Sequence, residues 1–470
     1  MGLIAFTAEL VASLYRERRC SQEAVHAVRD RRLRALVKHA RATSTLWRDR
    51  LAHVDPAAQI NLAQIEPITK AELMASFGGS IAGGDLTHAE VEAFVRDKTR
   101  IGVPLKGRYM VATTSGTTGR VGYFVTDVRS FSAMNGVLMA RVLRDRLVPT
   151  NMMRFAFGRR YRMAMAIATE GHFISRLVAG FTPLLGRLFI NMRPFSIVDP
   201  MEKMVVQLNR FRPHYLHGYP TFLEALAHDR LQGRLAIDPE FVSLGSEPFS
   251  MSARRVIAQA FPRARMSETY GATECLAIAN QCSAGRLHIN EDVVIVEPVD
   301  GDGRPVPVGV PSQKVYITNL LNRAQPLLRY ELGDSVTLLG DECPCGSSMA
   351  SIRVEGRCDD TIYLQDGEGQ FSAHPPVPFE ALFLQIAGLR QYQLEHVRQN
   401  VLRVRVVPQP GADVAEVTRA TRAAFGGYLA SRSLEGPVTV EVETVERIER
   451  DERSHKIRQI YSQVAGPAGR

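Results

Sequence analysis

One tryptophan, six cysteines and no apolar run near the ~18 residues of a membrane span are the first things the 470-residue sequence shows by their scarcity. No membrane partner is expected. Cys20, Cys275, Cys282, Cys343, Cys345 and Cys358 are too few and too clustered for a disulfide scaffold in a chain this long, so a reducing cytoplasm is the expected location. The opening MGLIAFTAELVASLYRERRC places its charges after the apolar stretch and lacks an Ala-x-Ala pattern, which argues against a signal peptide. Zinc-finger, helix-turn-helix and RRM patterns are missing too. The net charge of +9 therefore favours anionic small molecules, and no nucleic-acid partner is expected.

What is present is ordinary globular material. Hydrophobic residues at 45% and charged residues at 23% leave no case for disorder, collagen or a coiled coil, and the length allows two or three domains. Arg31, Arg32 and Arg34 alternate with Leu33, Leu36 and Val37, a solvated face on an amphipathic helix pair that runs from about 21 to 51 and ends near Trp47. Strand-like runs at Tyr109 to Ala112, Tyr123 to Val125, Tyr215 to His217, Phe241 to Leu244, Val293 to Val296 and Val315 to Thr318 follow. Helical stretches at Phe131 to Leu147, Phe222 to Arg230 and Ser252 to Ala260 separate several of them, so the class is α/β or α+β with a large sheet. After Arg357 the composition shifts. Residues 366 to 378, DGEGQFSAHPPVP, read as a loop or hinge neighbourhood, and a compact β-β-α-β unit follows: strands at Tyr392 to His396 and Val401 to Val407, a helix from Asp413 to about Leu429, and a strand at Val438 to Val442.

The sharpest local feature is Thr113-Thr114-Ser115-Gly116-Thr117-Thr118-Gly119-Arg120 between two strand-like runs. Glycine allows close backbone approach, and hydroxyls and amides can donate to phosphate oxygens; the missing Lys and the strand-like exit rule out a P-loop of the GxxxxGK[ST] type. By itself such a turn is a hairpin loop more often than a phosphate site. Downstream, Ser267-Glu268-Thr269-Tyr270-Gly271-Ala272-Thr273-Glu274 combines a ring able to stack on a purine with a carboxylate able to hold a divalent cation. Asp334, in Arg329-Tyr330-Glu331-Leu332-Gly333-Asp334, could accept from ribose hydroxyls, and Gly356-Arg357-Cys358-Asp359-Asp360 opens the C-terminal unit.

In that order, with a near-C-terminal Lys456, these motifs resemble the adenylate-forming acyl-CoA synthetase superfamily. LRALVKHARATSTLWRDRL, PITKAEL at 67 to 73, LHGYPTFLEAL at 216 to 226, LGSEPFS at 244 to 250 and PLLRYELGD at 326 to 334 resemble its phenylacetate-CoA ligase branch, and the likeness covers nearly the whole chain. The resemblance implies a two-domain α/β (α+β) fold, a large multi-sheet domain over 1–357 and a small mobile lid over 358–470. It implies a carboxylic acid, of aryl or arylacetic type, activated by ATP and Mg²⁺ to an acyl-adenylate and passed to a thiol, coenzyme A.

Carried over by motif, Thr114, Ser115, Gly116, Thr117, Thr118 and Gly119 would cradle phosphates. Gly245, Ser246, Glu247 and Pro248 with Tyr270 and Gly271 would frame adenine, Asp334 would hold the ribose, and Arg357 would sit near the nucleotide. Lys456, Glu274 and Thr273 are the catalytic candidates, Glu274 as the Mg²⁺ ligand and Lys456 as the cation at the reacting phosphate; Asp359 would be the hinge.

The pattern departs at three places: Arg120 and Val121 stand where a Lys is frequent, 366 to 378 replaces a Gly-Val-Asn-Val-Phe-Pro stretch, and Ser454-His455-Lys456 replaces Gly-Lys. The second departure supports an alternative in which an amine or a carrier protein takes the acyl group. The first leaves room for a degenerate, non-catalytic nucleotide-binding member, against which the joint retention of Glu274, Asp334 and Lys456 argues. A homodimer stays open.

A second constellation is Cys282-x5-His288 with Cys343-x-Cys345: three thiolates and one imidazole, the ligand set of a closed structural Zn²⁺ site. Cys275 is expected in the core, and His172, His214 and His217 as hydrogen-bonded structural residues.

Overall fold

The N-terminal apolar stretch forms an 18-residue helix, α1 (Gly2–Arg19). The Ser21 hydroxyl accepts from the Ala24 amide to start α2 (Gln22–Thr43), whose Val25, Leu33, Leu36, Val37 and Ala40 form the expected buried stripe. In α3 (Thr45–Arg50) Trp47 is fully buried, and its indole N–H donates to the Pro326 carbonyl at 2.8 Å. Helices α4 (Lys70–Ala75) and α6 (His88–Arg96), with α5 (Phe77–Ser80) between them, begin with capping boxes built on Thr69–Glu72 and Thr87–Glu90.

This is a computed structural model, and it describes residues 2–114, 121–143, 160–169, 171–180, 190–247, 249, 251–357, 360–374, 376–383, 385–450 and 457–464. Of the residues singled out above, Ser115, Gly116, Thr117, Thr118, Gly119, Pro248, Asp359 and Lys456 lie outside the described residues.

Strands β1 (Tyr109–Thr113) and β2 (Tyr123–Asp127) pair antiparallel across the hydroxyl-rich loop, and α7 (Val128–Leu143) follows. A Cβ at Gly136 would lie 2.5 Å from the Phe6 carbonyl oxygen, so α7 needs glycine there for α1 to pack against it. Strands and helices then alternate: β3 (Tyr161–Ile167), α8 (Ile174–Gly180), β4 (Ile190–Ser196), α9 (Met201–Phe211), β5 (Tyr215–Gly218), α10 (Pro220–Leu231), β6 (Phe241–Gly245), α11 (Met251–Ala260) and β7 (Arg265–Tyr270). Connections of this kind make β4, β3, β5, β6 and β7 parallel. The sheet continues antiparallel through β8 (Ala279–Gln281) and β9 (Leu287–Ile289); β10 (Val294–Val299), β11 (Lys314–Asn319) and β12 (Leu327–Leu332) form a separate sheet, and β13 (Asp334–Leu339) and β14 (Ser351–Arg357) complete the order β13-β14-β9-β8-β7-β6-β5-β3-β4.

Beyond Arg357 a distinct apolar core gathers Ile362, Leu364, Phe379, Leu394, Val404 and Phe425. It is built by β15 (Ile362–Gln365), β16 (Phe371–His374), α12 (Pro376–Phe383), β17 (Leu389–Arg398), β18 (Val401–Pro408), α13 (Val414–Ala430) and β19 (Thr439–Thr444), with β20 (Ile460–Ser462) running parallel to β17. The stretch 366 to 378 is mostly regular structure rather than a loop. Only Asp366 to Gly369 turns, with the Asp366 carboxylate accepting from Glu368 and Gln370 amides at 2.9 Å. Pro376 and Pro378 then fall in the first turn of α12, where a missing N–H costs nothing.

Asp292, fully buried beside β10, ties the N-terminal helices to the sheet. Its carboxylate receives Arg16 at 2.7 Å and Arg141 at 2.9 Å, its carbonyl receives Arg32 at 2.9 Å, and Arg141 also pairs with Glu17 at 2.9 Å. Burial pushes this carboxyl up, but Arg141, Arg16 and Arg32 outweigh it and hold it below the usual range. Asp292→Ala should therefore cost about 3–5 kcal/mol, because two guanidinium groups lose their buried partner. Urea unfolding followed by the fluorescence of Trp47, the sole tryptophan, measures this; a loss under about 1 kcal/mol would show the network to be dispensable.

Candidate functional site

Open α/β sheets bind ligands outside the carboxyl ends of their parallel strands. Here β6 ends at Gly245 opposite Thr269 of β7. A Cβ on Gly245 would come within 3.2 Å of the Thr269 carbonyl oxygen, so glycine lets these two strand ends close up. Ser246 follows at φ +69°, a left-handed conformation uncommon for a non-glycine residue. That turn carries Glu247 to the start of α10, where its carboxylate accepts from the Thr221 hydroxyl at 2.8 Å and the Thr221 amide at 3.3 Å.

The end of β7 supplies the second wall. Tyr270 donates its hydroxyl to the Asp334 carboxylate at 2.7 Å, and Arg357 lies 3.9 Å from the other Asp334 oxygen. Asp334 and Arg357 face each other because β13 and β14 pair in that register. Burial, then the Asp334 charge, holds the Tyr270 hydroxyl neutral, well above its usual pKa. A Cβ on Gly271 would overlap the Leu276 carbonyl oxygen at 2.3 Å, so only glycine permits the tight turn that the Ala272 and Cys275 backbones close on each other.

Within that turn Thr273 is half-buried and Glu274 points inward. The Tyr330 hydroxyl donates to the Glu274 carboxylate at 3.1 Å, and Asn319 donates to its carbonyl at 3.0 Å. Burial, reinforced by Asp334, pushes the Glu274 carboxyl up against the pull of Tyr330 and Arg357. A carboxylate under that penalty is stabilised by a bound cation, so the chemistry of the site fits a divalent metal.

The structure thus gathers Gly245, Ser246, Glu247, Tyr270, Gly271, Thr273, Glu274, Asp334 and Arg357 at one end of the sheet. Thr114 closes the neck of the hydroxyl-rich loop through paired bonds with Gly122 at 2.8 and 3.0 Å. The hairpin that carries it reaches the site through Phe124, packed edge-on against Tyr330 at 5.7 Å. Tyr330, Asn319 and Thr221 also hold groups of the site. Tyr330 and Thr221 stand inside the PLLRYELGD and LHGYPTFLEAL stretches, whereas nothing local marks Asn319.

The second constellation also assembles. The donor atoms of Cys282, His288, Cys343 and Cys345 all lie within 4.8 Å of one another; Cys282 and Cys343 sulfurs are 3.6 Å apart, and Cys345 Sγ is 3.4 Å from His288 Nε2. His288 Nδ1 is 2.7 Å from the Met349 carbonyl. A carbonyl only accepts, so Nδ1 carries the proton and Nε2 turns its lone pair to the sulfurs, the orientation a metal ligand needs. Cys275 is buried, His214 Nδ1 accepts from the Arg162 amide at 3.0 Å and His217 Nδ1 meets Ser243 Oγ at 3.2 Å, all in structural roles as expected.

An aromatic ring, a carboxylate beside an arginine and a second, buried carboxylate meet at the end of a parallel sheet, groups whose chemistry suits a nucleotide. Residues 23–322 match the model of the AMP-binding enzyme family, and the chain belongs to it. It is 29% identical over 317 residues to the phenylacetate-coenzyme A ligase of Thermus thermophilus, covering 64% of this chain and 65% of that protein, and 27% identical over 175 residues to protein CapK of Staphylococcus aureus, 36% of each. The match therefore spans under two thirds of either curated relative's length.

Its fold is that of 2-hydroxyisobutyryl-CoA ligase. The postadenylation-state structure with 2-HIB-AMP gives a TM-score of 0.68 at 19% identity, over 96% of this chain and 91% of that one. The thioesterification-state structure with 2-HIB-AMP and CoA gives 0.54 at 19%, over 95% and 91%. The chain thus has the two-domain α/β architecture of adenylate-forming enzymes.

Charge also accumulates beside the site on α10. Burial pushes the Glu224 carboxyl up to about 8, and Arg390 offsets only part of this. Unfolded, it ionises near 4.5, so between these two values the folded chain holds a proton the unfolded chain has released. Stability should then fall as pH rises through that window and level off above it. Glu224→Gln should remove up to about 1.4 kcal/mol per pH unit from the slope of unfolding free energy near pH 6, read by urea titration at several pH values; an unchanged slope would refute the buried acid.

Proposed function

We propose that this protein is an ATP-dependent, AMP-forming ligase that activates a carboxylic acid as its acyl-adenylate and transfers the acyl group to coenzyme A. The observation that carries the reading is the Tyr270–Asp334–Arg357 array with Glu274 turned inward beside it. Tyr270 offers a flat face to adenine, Asp334 accepts from the ribose hydroxyls, and Arg357 sits where it can reach the nucleotide. Glu274 and Thr273 would hold Mg²⁺, which neutralises phosphate charge. The acid's carboxylate oxygen attacks the α-phosphorus and pyrophosphate leaves; the coenzyme A thiol then attacks the acyl carbon and AMP leaves.

Such chemistry depends on positioning and charge neutralisation rather than on a covalent nucleophile. Lys456 would supply a cation to the α-phosphate, the loop from Thr114 to Gly119 would hold the outgoing phosphates, Pro248 would join Gly245, Ser246 and Glu247 at the adenine, and Asp359 would be the pivot between domains 1–357 and 358–470. The likeness to phenylacetate-CoA ligase supports an aryl or arylacetic acid, and a reducing cytoplasm suits Cys20, Cys275, Cys282, Cys343 and Cys345, which form no disulfide.

Pyrophosphate release over phenylacetate, benzoate, anthranilate and 2-hydroxyisobutyrate, with and without coenzyme A, tests the reading. Acid-dependent release with thioester formation is expected. Release without thioester would move the acceptor to an amine or carrier protein, and no release with any acid would sink the ligase reading. Lys456→Ala should lower adenylation about 100-fold or more while leaving thiol transfer from a supplied acyl-adenylate within about twofold.

The Cys282–His288–Cys343–Cys345 cluster is read as a structural Zn²⁺ site, since four protein donors leave no open position for water. The purified chain should carry about one zinc by elemental analysis. Cys343→Ser should lower the melting temperature while leaving adenylation kinetics nearly unchanged, and a metal-free wild-type preparation that melts at the same temperature would refute the site.

A further inference from the structure

The walls of the site stand on β6 and β7, and the next strand, β5, brings an imidazole to the same end of the sheet. Alternate side chains of a strand share a face, so the pairing of His217 with Ser243, Ser243 with Ser267 and Gly245 with Thr269 puts these five residues on one face of β5, β6 and β7. Two residues earlier along β5 and β6 that face is apolar, with Tyr215 and Phe241 stacked at 5.6 Å. Toward the carboxyl ends it turns polar, and His217, Ser267 and Thr269 keep solvent contact although they lie on central strands.

The structural bond of His217 takes only one ring nitrogen. Nδ1 meets Ser243 Oγ at 3.2 Å, and no described residue bonds Nε2. A Cβ built on Gly245 would lie 3.8 Å from His217 Cε1, the atom next to Nε2, so this edge of the ring borders the space that glycine leaves at the end of β6. Burial pushes the imidazole down to about 4, so the ring is uncharged at neutral pH. An uncharged imidazole carries one N–H and one lone pair, and the Ser243 hydroxyl can donate to Nδ1 or accept from it. Nε2 can therefore present either. The complementary group is a hydroxyl, which also donates and accepts; a second carboxylate would call for an imidazolium, which burial disfavours.

Position suits the far end of the acid. Neighbouring strands lie about 4.8 Å apart, so β5 stands roughly 10 Å across the sheet from β7. An acid whose carboxylate reaches the reacting phosphate beside Glu274 can lay its tail over Gly245 toward His217.

We propose that His217, set by Ser243, is a specificity-determining residue that reads a hydroxyl at the far end of the acid, so that hydroxylated aryl or arylacetic acids are the preferred substrates. The proposal rests on the ligase reading above and narrows its substrate class. A pocket built to bond a hydroxyl rejects the analogue that lacks it, because its own polar group is then left unpaired.

The test compares phenylacetate with meta- and para-hydroxyphenylacetate in acid-dependent ATP–pyrophosphate exchange. Wild type should favour one hydroxylated acid by about 100-fold in kcat/KM. His217→Phe, which keeps a ring and removes both nitrogens, should bring that ratio within about threefold of one, while His217→Gln, which keeps a donor and an acceptor, should retain about tenfold. Ser243→Ala, which frees the ring, should lower the ratio by about tenfold. Each ratio is taken within one preparation, so partial unfolding of a variant does not distort it. Equal wild-type values, or a preference that survives in His217→Phe, overturn the proposal; should His217→Phe not fold, an unchanged ratio in Ser243→Ala overturns it.

Titration calorimetry with α,β-methylene-ATP present gives a reading independent of turnover. One hydroxylated acid should bind wild type about tenfold more tightly than phenylacetate, and His217→Phe should bind the two alike. Equal affinities for wild type, or binding of neither acid, overturn the proposal. If no acid, hydroxylated or plain, supports exchange, the ligase reading fails by itself, and the calorimetric ratio still decides whether His217 selects a hydroxyl.

Discussion

The pairing of β7 governs the molecule. On one side it runs parallel to β6, on the other antiparallel to β8, so the nine-stranded sheet changes character along a single strand. Parallel strands demand covering helices and leave their carboxyl ends facing outward; antiparallel strands can return through short turns. At the end of β7 both demands meet within a few residues. The chain must turn back tightly, which Gly271 allows, and the turn throws Glu274 inward while leaving Tyr270 facing Asp334 across the sheet margin. Site and topology have the same cause.

Elements with strong periodicity were readable from the sequence. The buried stripe of α2 and the all-buried β6 are local signals, and each element lies within a few residues of where its pattern predicts. The run 366 to 378 misled because glycine and proline are turn markers whose meaning depends on context: one turn is used at Asp366 to Gly369, while Pro376 and Pro378 begin a helix. β20 was illegible because three residues carry no period; only its pairing with β17 makes it a strand. The N-terminal helix α1 was hidden by its short apolar stretch, since its partners, Gly136 on α7 and Asp292, lie far along the chain.

The same contrast runs through the site. Residues whose side chains could carry chemistry sit in motifs and could be named: Tyr270, Glu274, Asp334 and Arg357, and Cys282, His288, Cys343 and Cys345. Residues that hold them in place are generic polar side chains: Asn319 gripping the Glu274 carbonyl, Thr221 gripping Glu247, the Met349 carbonyl orienting His288. A supporting hydrogen bond asks only for a donor at the right point in space, which many sequences can supply. Motif reading therefore finds the chemistry and misses its scaffolding.

Buried charge is treated in two opposite ways in this chain. Asp292 is surrounded by Arg16, Arg32 and Arg141, and its ionised form is secured in every state that keeps the helices docked. Glu274 and Glu224 are buried with too little compensation, and burial dominates both. A permanent pair suits a permanent junction. Glu224 is accommodated by keeping its proton, whereas Glu274 stands where a divalent cation could compensate its charge. A cation bound at Glu274 would relieve that penalty, so the energy of burying this carboxyl would favour the cation-bound site.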